Sequence, residues 1–177
     1  MKKPIAFIGL SLFLIFASFQ HKAQANLAEL TDFHWVSQQA RAQNIPIMLM
    51  FTGPHCEFCS QLERTVFNPM IRGGMYEGYA LYMRKVSELH QEIRFNADER
   101  ITKGNMMRMY RADVTPTVIF VDPNGIPVAE PMIGSMEIQL YLGMVHQRLN
   151  QAYERMGNPM RLPVNPDQMR RPLNDAN

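Results

Sequence analysis

Cysteine is almost absent from this chain, with two in 177 residues. They are Cys56 and Cys59, so no network of disulfides holds the fold; an inert local bridge is the bland reading of the pair. A structural zinc site would need two more ligands, and His34, His90 and His146 show no ligand spacing. Ser60, not histidine, follows Cys59, so covalent haem attachment has no support. An excess of one charge is also missing. Lys and Arg number 18 against 16 Asp and Glu, a mixed surface that does not argue for nucleic acid. No internal repeat is visible. The apolar run Ile5 to Phe19 is short for a full membrane span.

That run has the length of a signal-peptide core, and Lys2 and Lys3 precede it as a charged start. Ala23-Gln24-Ala25 fits the small-x-small cleavage rule. The mature chain is therefore expected to begin at Asn26 and to reside in the periplasm; an uncleaved anchor is the alternative. No cysteine lies near the cleavage site, which excludes a lipoprotein anchor. Loss of residues 1–25 removes Lys2, Lys3 and Lys22 and no acid, leaving 15 basic against 16 acidic residues. The remaining 152 residues suffice for one domain with its own core and need no disulfide staples. The expected division is a signal at 1–25, a domain at 26–156 and a proline-rich mobile tail at 157–177. The tail carries Pro159, Pro163, Pro166 and Pro172 and little apolar material, so its removal is expected to leave folding intact.

What the chain does have is Cys56-Glu57-Phe58-Cys59 at the junction of two elements. Ile47 to Phe51 reads as a buried strand and Ser60 to Phe67 as a helix. A Cys-x-x-Cys at such a junction reads as a redox-active dithiol. The helix start favours the thiolate of Cys56, and Cys59, one turn on, is placed to attack a mixed disulfide on Cys56.

Along the chain, Asn26 to Gln43 reads as an amphipathic helix capped near Thr31. The strand Ile45–Phe51 follows, and the cysteine helix is expected to end near Asn68-Pro69. Residues 70–79 read as loop and Tyr79 to Val86 as a strand. Ser87 to Ala97 is ambiguous, and Asp98 to Arg111 has helical character. A strand from Val114 to Val121 opens near Pro116. Asp122-Pro123-Asn124-Gly125 then turns the chain into an antiparallel return at Ile126–Ala129. Ser135 to Met156 reads as a terminal helix. This order gives an α/β fold with a central mixed sheet flanked by helices.

With Ile47–Phe51, the Cys56–Cys59 motif and Thr115-Pro116 opening a strand and hairpin, the chain resembles the thioredoxin-like family over roughly residues 27–156. The stretch Phe51 to Glu63 is most similar to that of exported thiol:disulfide oxidoreductases. The resemblance implies a thioredoxin-like fold, Cys56 as nucleophile and Cys59 as resolving thiol. It also implies a cis bond at Thr115-Pro116 beside the dithiol, leaving the Thr115 backbone free to hold a substrate strand.

Two positions depart from the cytosolic members. His55 precedes the motif, where it is a candidate to touch substrate or to favour the Cys56 thiolate. Met50 stands where those members carry an acid six residues before the first cysteine. Glu63, four residues after Cys59, is the candidate replacement for proton transfer, or else a surface acid bonded to Arg64 or solvent. Glu57 opposes the Cys56 thiolate and leans the couple towards reduction, while the helix terminus and His55 act the other way; the bland reading is a favourable acid in the first helical turn. The implied partners are protein disulfides and a membrane thiol electron donor. No cofactor or metal is expected. The alternative is a binding module or metallochaperone whose dithiol is a copper ligand pair. The 15 methionines sit at strand and helix spacings and read as core filler.

Overall fold

The computed structural model describes residues 26–169. The expected signal segment and residues 170–177 lie outside them. The sequence Ile47-Met48-Leu49-Met50-Phe51 has no polar member, and this strand, β1, is buried along its whole length. A strand without a solvated face needs partners on both edges and cover on both sides. On one edge β1 pairs in parallel with β2 (Tyr82–Val86), and on the other it pairs antiparallel with β5 (Thr117–Val121). A short β6 (Met132–Ile133) extends the sheet antiparallel to β5, giving the order β2-β1-β5-β6. The sheet is thus mixed, as the element order implies.

Alternation along β1 creates two core layers. Ile47, Leu49 and Phe51 face α1 (Phe33–Gln43), which contributes Phe33, Val36 and Ala40. Met48 and Met50 face Cys59, Leu62, Phe67 and the terminal helix α5 (Ile138–Arg155), which contributes Tyr141, Val145 and Leu149. Met70, Met83, Met132 and Met169 are buried in this second layer too, so the methionine spacing marks core.

Several local expectations are corrected. The first helix begins at Phe33, because Asp32 and not Thr31 caps it, accepting the Trp35 N–H at 2.8 Å. The carboxyl of Asp32 is desolvated, but this backbone bond and the Arg94 guanidinium prevail and lower its pKa. Residues 28–30 run instead beside β2: Leu30 N–H donates to Lys85 O, and Lys85 N–H donates to Ala28 O. The ambiguous stretch after Ser87 forms β3 (Glu92–Arg94). It makes a small separate hairpin sheet with β4 (Arg100–Thr102), which shortens the following helix, α4, to Lys103–Met109. After the Asp122–Gly125 turn, Val128 N–H bonds Phe120 O, yet the regular ladder forms only later, at β6.

The cysteine helix does not end at Pro69. It runs as α2 (Glu57–Leu62), a π turn (Glu63–Phe67) and α3 (Asn68–Arg72). A proline inside a helix lacks an N–H and collides with the carbonyl four residues back. Widening the turn just before Pro69, with Asn68 N–H donating to Glu63 O, lets the helix pass.

The expectation of a mobile tail fails for residues 157–169, which strap the molecule. Leu162 and Met169 are buried. Asn150 on α5 pairs its amide with both backbone groups of Leu162, at 2.8 and 2.9 Å. The Asn158 amide donates to Asn44 O at 2.6 Å. His146, fully buried, has Nδ1 2.7 Å from Pro163 O and Nε2 2.7 Å from the Tyr76 hydroxyl. A carbonyl only accepts, so Nδ1 carries the proton and Nε2 receives the Tyr76 O–H. Burial pushes the Tyr76 phenol up to about 12.

Truncation after Met156 is therefore expected to lower Tm by about 5 °C or more. Each buried side chain lost is worth about 1.5–3 kcal/mol, and 1 kcal/mol moves a domain of this size by about 2–4 °C. Thermal unfolding followed by circular dichroism checks this, and an unchanged Tm would show that the strap contributes nothing. The strap also sets a pH dependence. Burial lowers the His146 pKa below its ordinary 6.5, against the Pro163 hydrogen bond, which raises it. The unfolded chain thus binds a proton that the folded chain excludes. The resulting stability is present above about pH 6.5 and is lost as pH falls through the lower folded value. His146→Gln is expected to flatten the fall of Tm between pH 7 and 5; an identical slope in both proteins would exclude His146 as the source.

Candidate active site

The sheet register brings the site together. Phe51, the last residue of β1, lies opposite Thr117, the first of β5. The loop leaving β1 and the loop entering β5 therefore share one end of the sheet. The first carries residues 52–56, the second Thr115 and Pro116. Thr115 packs against Gly53, since a Cβ on Gly53 would lie 3.4 Å from its Oγ1.

Pro54 and His55 make the turn into α2, with His55 in the left-handed region at φ 59°. A non-glycine residue there costs about 1–2 kcal/mol. His55 is exposed, so no packing of its ring offsets that cost. Cys56 is the N-cap of α2, and its Sγ accepts the N–H of Cys59 at 3.2 Å. The two cysteines form a disulfide with their Cα atoms 5.3 Å apart. Their surroundings differ. Cys56 is half-buried at the surface, whereas Cys59 is 1% exposed, packed with Leu62 and Val66. The Cys59 N–H is thus directed at the Cys56 sulfur from the first turn of α2.

The Thr115-Pro116 bond is cis. Pro116 is buried, and its carbonyl accepts Gly134 N–H at 2.8 Å. The N–H and C=O of Thr115 make no hydrogen bond among the described residues, so they are free for an extended ligand.

Glu63 lies one turn beyond Cys59. Its carboxylate bonds neither Arg64 nor solvent alone: Oε2 lies 3.0 Å from Lys85 Nζ, in a partly buried pair. Lys85 stands opposite Met50 in the β1–β2 register, so it shares a sheet face with the layer containing Cys59. Sequence reasoning missed Lys85. The available signal was the adjacent cations Arg84 and Lys85 inside the strand Tyr82-Met83-Arg84-Lys85-Val86. It also missed Phe58, half-buried between the cysteines, and Ile133, 52% exposed on β6.

Another charged cluster gathers around Glu29, whose backbone bridges in parallel to Lys85. Lys103 Nζ is buried and bonds Glu29 Oε1 at 2.6 Å, while Glu29 also accepts the N–H and hydroxyl of Ser87. It ties the N-terminal segment to α4 and has no part in the dithiol. Among the described residues, no group of three or more His, Cys, Asp or Glu side chains is placed to hold a metal ion. No described helix is long and apolar enough to cross a membrane.

Comparison with known proteins follows the same lines. No curated protein matches the chain in sequence. Among solved structures, a thioredoxin from Thermus thermophilus is similar at 19% identity and a TM-score of 0.49, over 71% of this chain and 89% of that one. The DsbH oxidoreductase is similar at 17% identity and 0.48, over 73% and 90%. A thioredoxin-fold protein from Helicobacter pylori shows 13% identity and 0.46, over 64% and 83%. The family described as a thioredoxin-like domain matches residues 35–147, more than half of the sequence, and the chain belongs to that family.

Proposed function

We propose that this protein is an exported thiol:disulfide oxidoreductase that reduces or exchanges disulfides of other periplasmic proteins. A thioredoxin-like domain with a Cys56–Cys59 disulfide supports thiol–disulfide chemistry in general. The observation that carries the reading is the asymmetry of the pair: one sulfur at the surface on a helix N-cap, the other in the core one turn away. In the reduced protein, the Cys56 thiolate attacks a client disulfide. A mixed disulfide forms and one client thiolate leaves. Cys59 loses its proton and attacks Cys56 Sγ, which releases the second client thiol and closes the Cys56–Cys59 bond. Two electrons have then passed to the client. A dithiol donor in the membrane then reduces the Cys56–Cys59 bond and is itself oxidised to a disulfide. The Thr115 backbone holds the client strand beside the sulfurs, with His55 exposed at its approach. Export rests on the amino-terminal segment that reads as a signal.

Cys59→Ser, expressed in cells, is expected to accumulate mixed disulfides in the periplasmic fraction on a chain starting at or near Asn26. Cys56→Ser is expected to trap few. Equal trapping by the two variants, or none by either, would sink the assignment, and adducts confined to the cytosol would sink the export.

Glu63 receives the Cys59 proton in this scheme, with Lys85 fixing the carboxylate. Glu63→Gln is expected to slow client release about tenfold or more, within the range of general acid–base contributions. It should leave the first attack by Cys56 unchanged. Rapid-quench kinetics separates the two steps, and an unaltered release rate would remove Glu63 from the mechanism.

A further inference from the structure

The surface beside the cysteine helix has a definite shape and charge. Phe58 is half-buried, packed on the core layer that holds Cys59. Space opens on both its sides. A cleft of about 360 Å³ separates it from the loop entering α5, where Met136 and Ile138 form an apolar wall beside Glu137. A wider space of about 760 Å³ runs along the outer face of α2, past Glu57 to Arg64. Phe58 and Gln61 line both, so the two spaces form one groove with Phe58 as a ridge. A groove of this size takes one or two side chains on each side of the ridge.

Its charges are unequal in position. Glu57 and Glu137 stand on either side of Phe58, exposed, and neither side chain makes a hydrogen bond or ion pair among the described residues. Arg64 is the one cation lining the groove, and it sits a turn beyond Gln61, away from the motif. On the side of Thr115, Arg111 and Asp113 are both exposed and of opposite sign. The Phe58 end of the groove therefore presents two carboxylates around an apolar ridge, with the exposed imidazole of His55 on the far side of Cys56.

Resting on the oxidoreductase reading, we infer that this groove selects clients by charge: it takes an extended segment in which the reactive cysteine is flanked by lysine or arginine and by an apolar side chain. The apolar side chain packs between Phe58 and Met136. The cation lies between Glu57 and Glu137, which steer its approach. The same cation stabilises the client thiolate as it departs, making its sulfur a better leaving group.

The test uses three peptides of one length, each a mixed disulfide with the same reporter thiol. They differ only in the flanking pair: Lys and Leu, Ser and Leu, or Glu and Leu. The reduced full-length protein is expected to rank them Lys, Ser, Glu, with about a tenfold span in kcat/KM. The span should shrink at 0.5 M salt, where such attractions are screened. In the variant carrying Glu57→Gln and Glu137→Gln, the Lys-to-Glu ratio should approach one. A ratio near one in the unaltered protein, a span insensitive to salt, or a ratio unchanged in the double variant each overturns the inference while leaving the oxidoreductase reading in place. No turnover of any peptide, the serine one included, overturns that reading and the inference with it.

Discussion

The backbone of β1 is sealed from water on both faces, so each of its N–H and C=O groups must be bonded by a neighbouring strand. That need fixes β2 on one edge and β5 on the other, and with them most of the molecule's order. Because Phe51 pairs with both Val86 and Thr117, the ends of three strands meet at one place. The dithiol loop leaves from that place, and the loop of the cis proline arrives there. Two segments more than fifty positions apart in sequence become the two banks of one site. The helix that carries the cysteines then has to lie across Met48 and Met50, which sinks Cys59 and leaves Cys56 at the rim.

Three ion pairs are largely withdrawn from solvent: Lys103–Glu29, Lys85–Glu63 and Arg84–Glu77. Lys103 meets Glu29, which also binds Ser87; removing Glu29 would leave the fully buried Lys103 ammonium without its carboxylate. On the dithiol side, Glu63 meets Lys85 at the boundary between core and solvent. The first cluster joins segments far apart in sequence, which makes the N-terminal residues part of the domain. The second lies one helical turn from a buried sulfur, where a carboxylate has a chemical use. The same pairing of lysine with glutamate thus serves cohesion in one place and, in the proposed mechanism, proton movement in another.

Much of this architecture was legible in the sequence because its signals are local. An unbroken apolar run, a Cys-x-x-Cys after it, and a proline at the head of a β-branched strand each carry their own physics. They led to the mixed sheet and to the residues that meet at its end. The errors arose where distant contacts overrode local preference. Pro69 is a sound stop signal, yet a π turn absorbed it, a device that only the packing of Val66 and Phe67 makes worthwhile. The prolines at 159, 163 and 166 suggested a loose tail. Asn150, His146 and Asn158 instead hold its backbone, and their polar side chains gave no hint of a partner. Residues 26–31 carry a helical pattern, but 28–30 pair with β2 and Leu27 and Leu30 are buried. Lys85 went unnoticed as a partner of Glu63 since nothing in spacing links positions 22 residues apart.

The segment beside β2 has a bearing on self-association. A sheet has two rims, and each is a template on which another chain can add a strand. Here residues 28–30 occupy one rim, bonding Lys85 on both its N–H and C=O. The other rim is β6, two residues long and next to the proline loop. Foreign backbone that docks edge-on to the main sheet is thereby directed to the end where the sulfurs lie. Among the described residues, the same arrangement that shields β2 leaves only the two-residue rim of β6 uncovered in the main sheet.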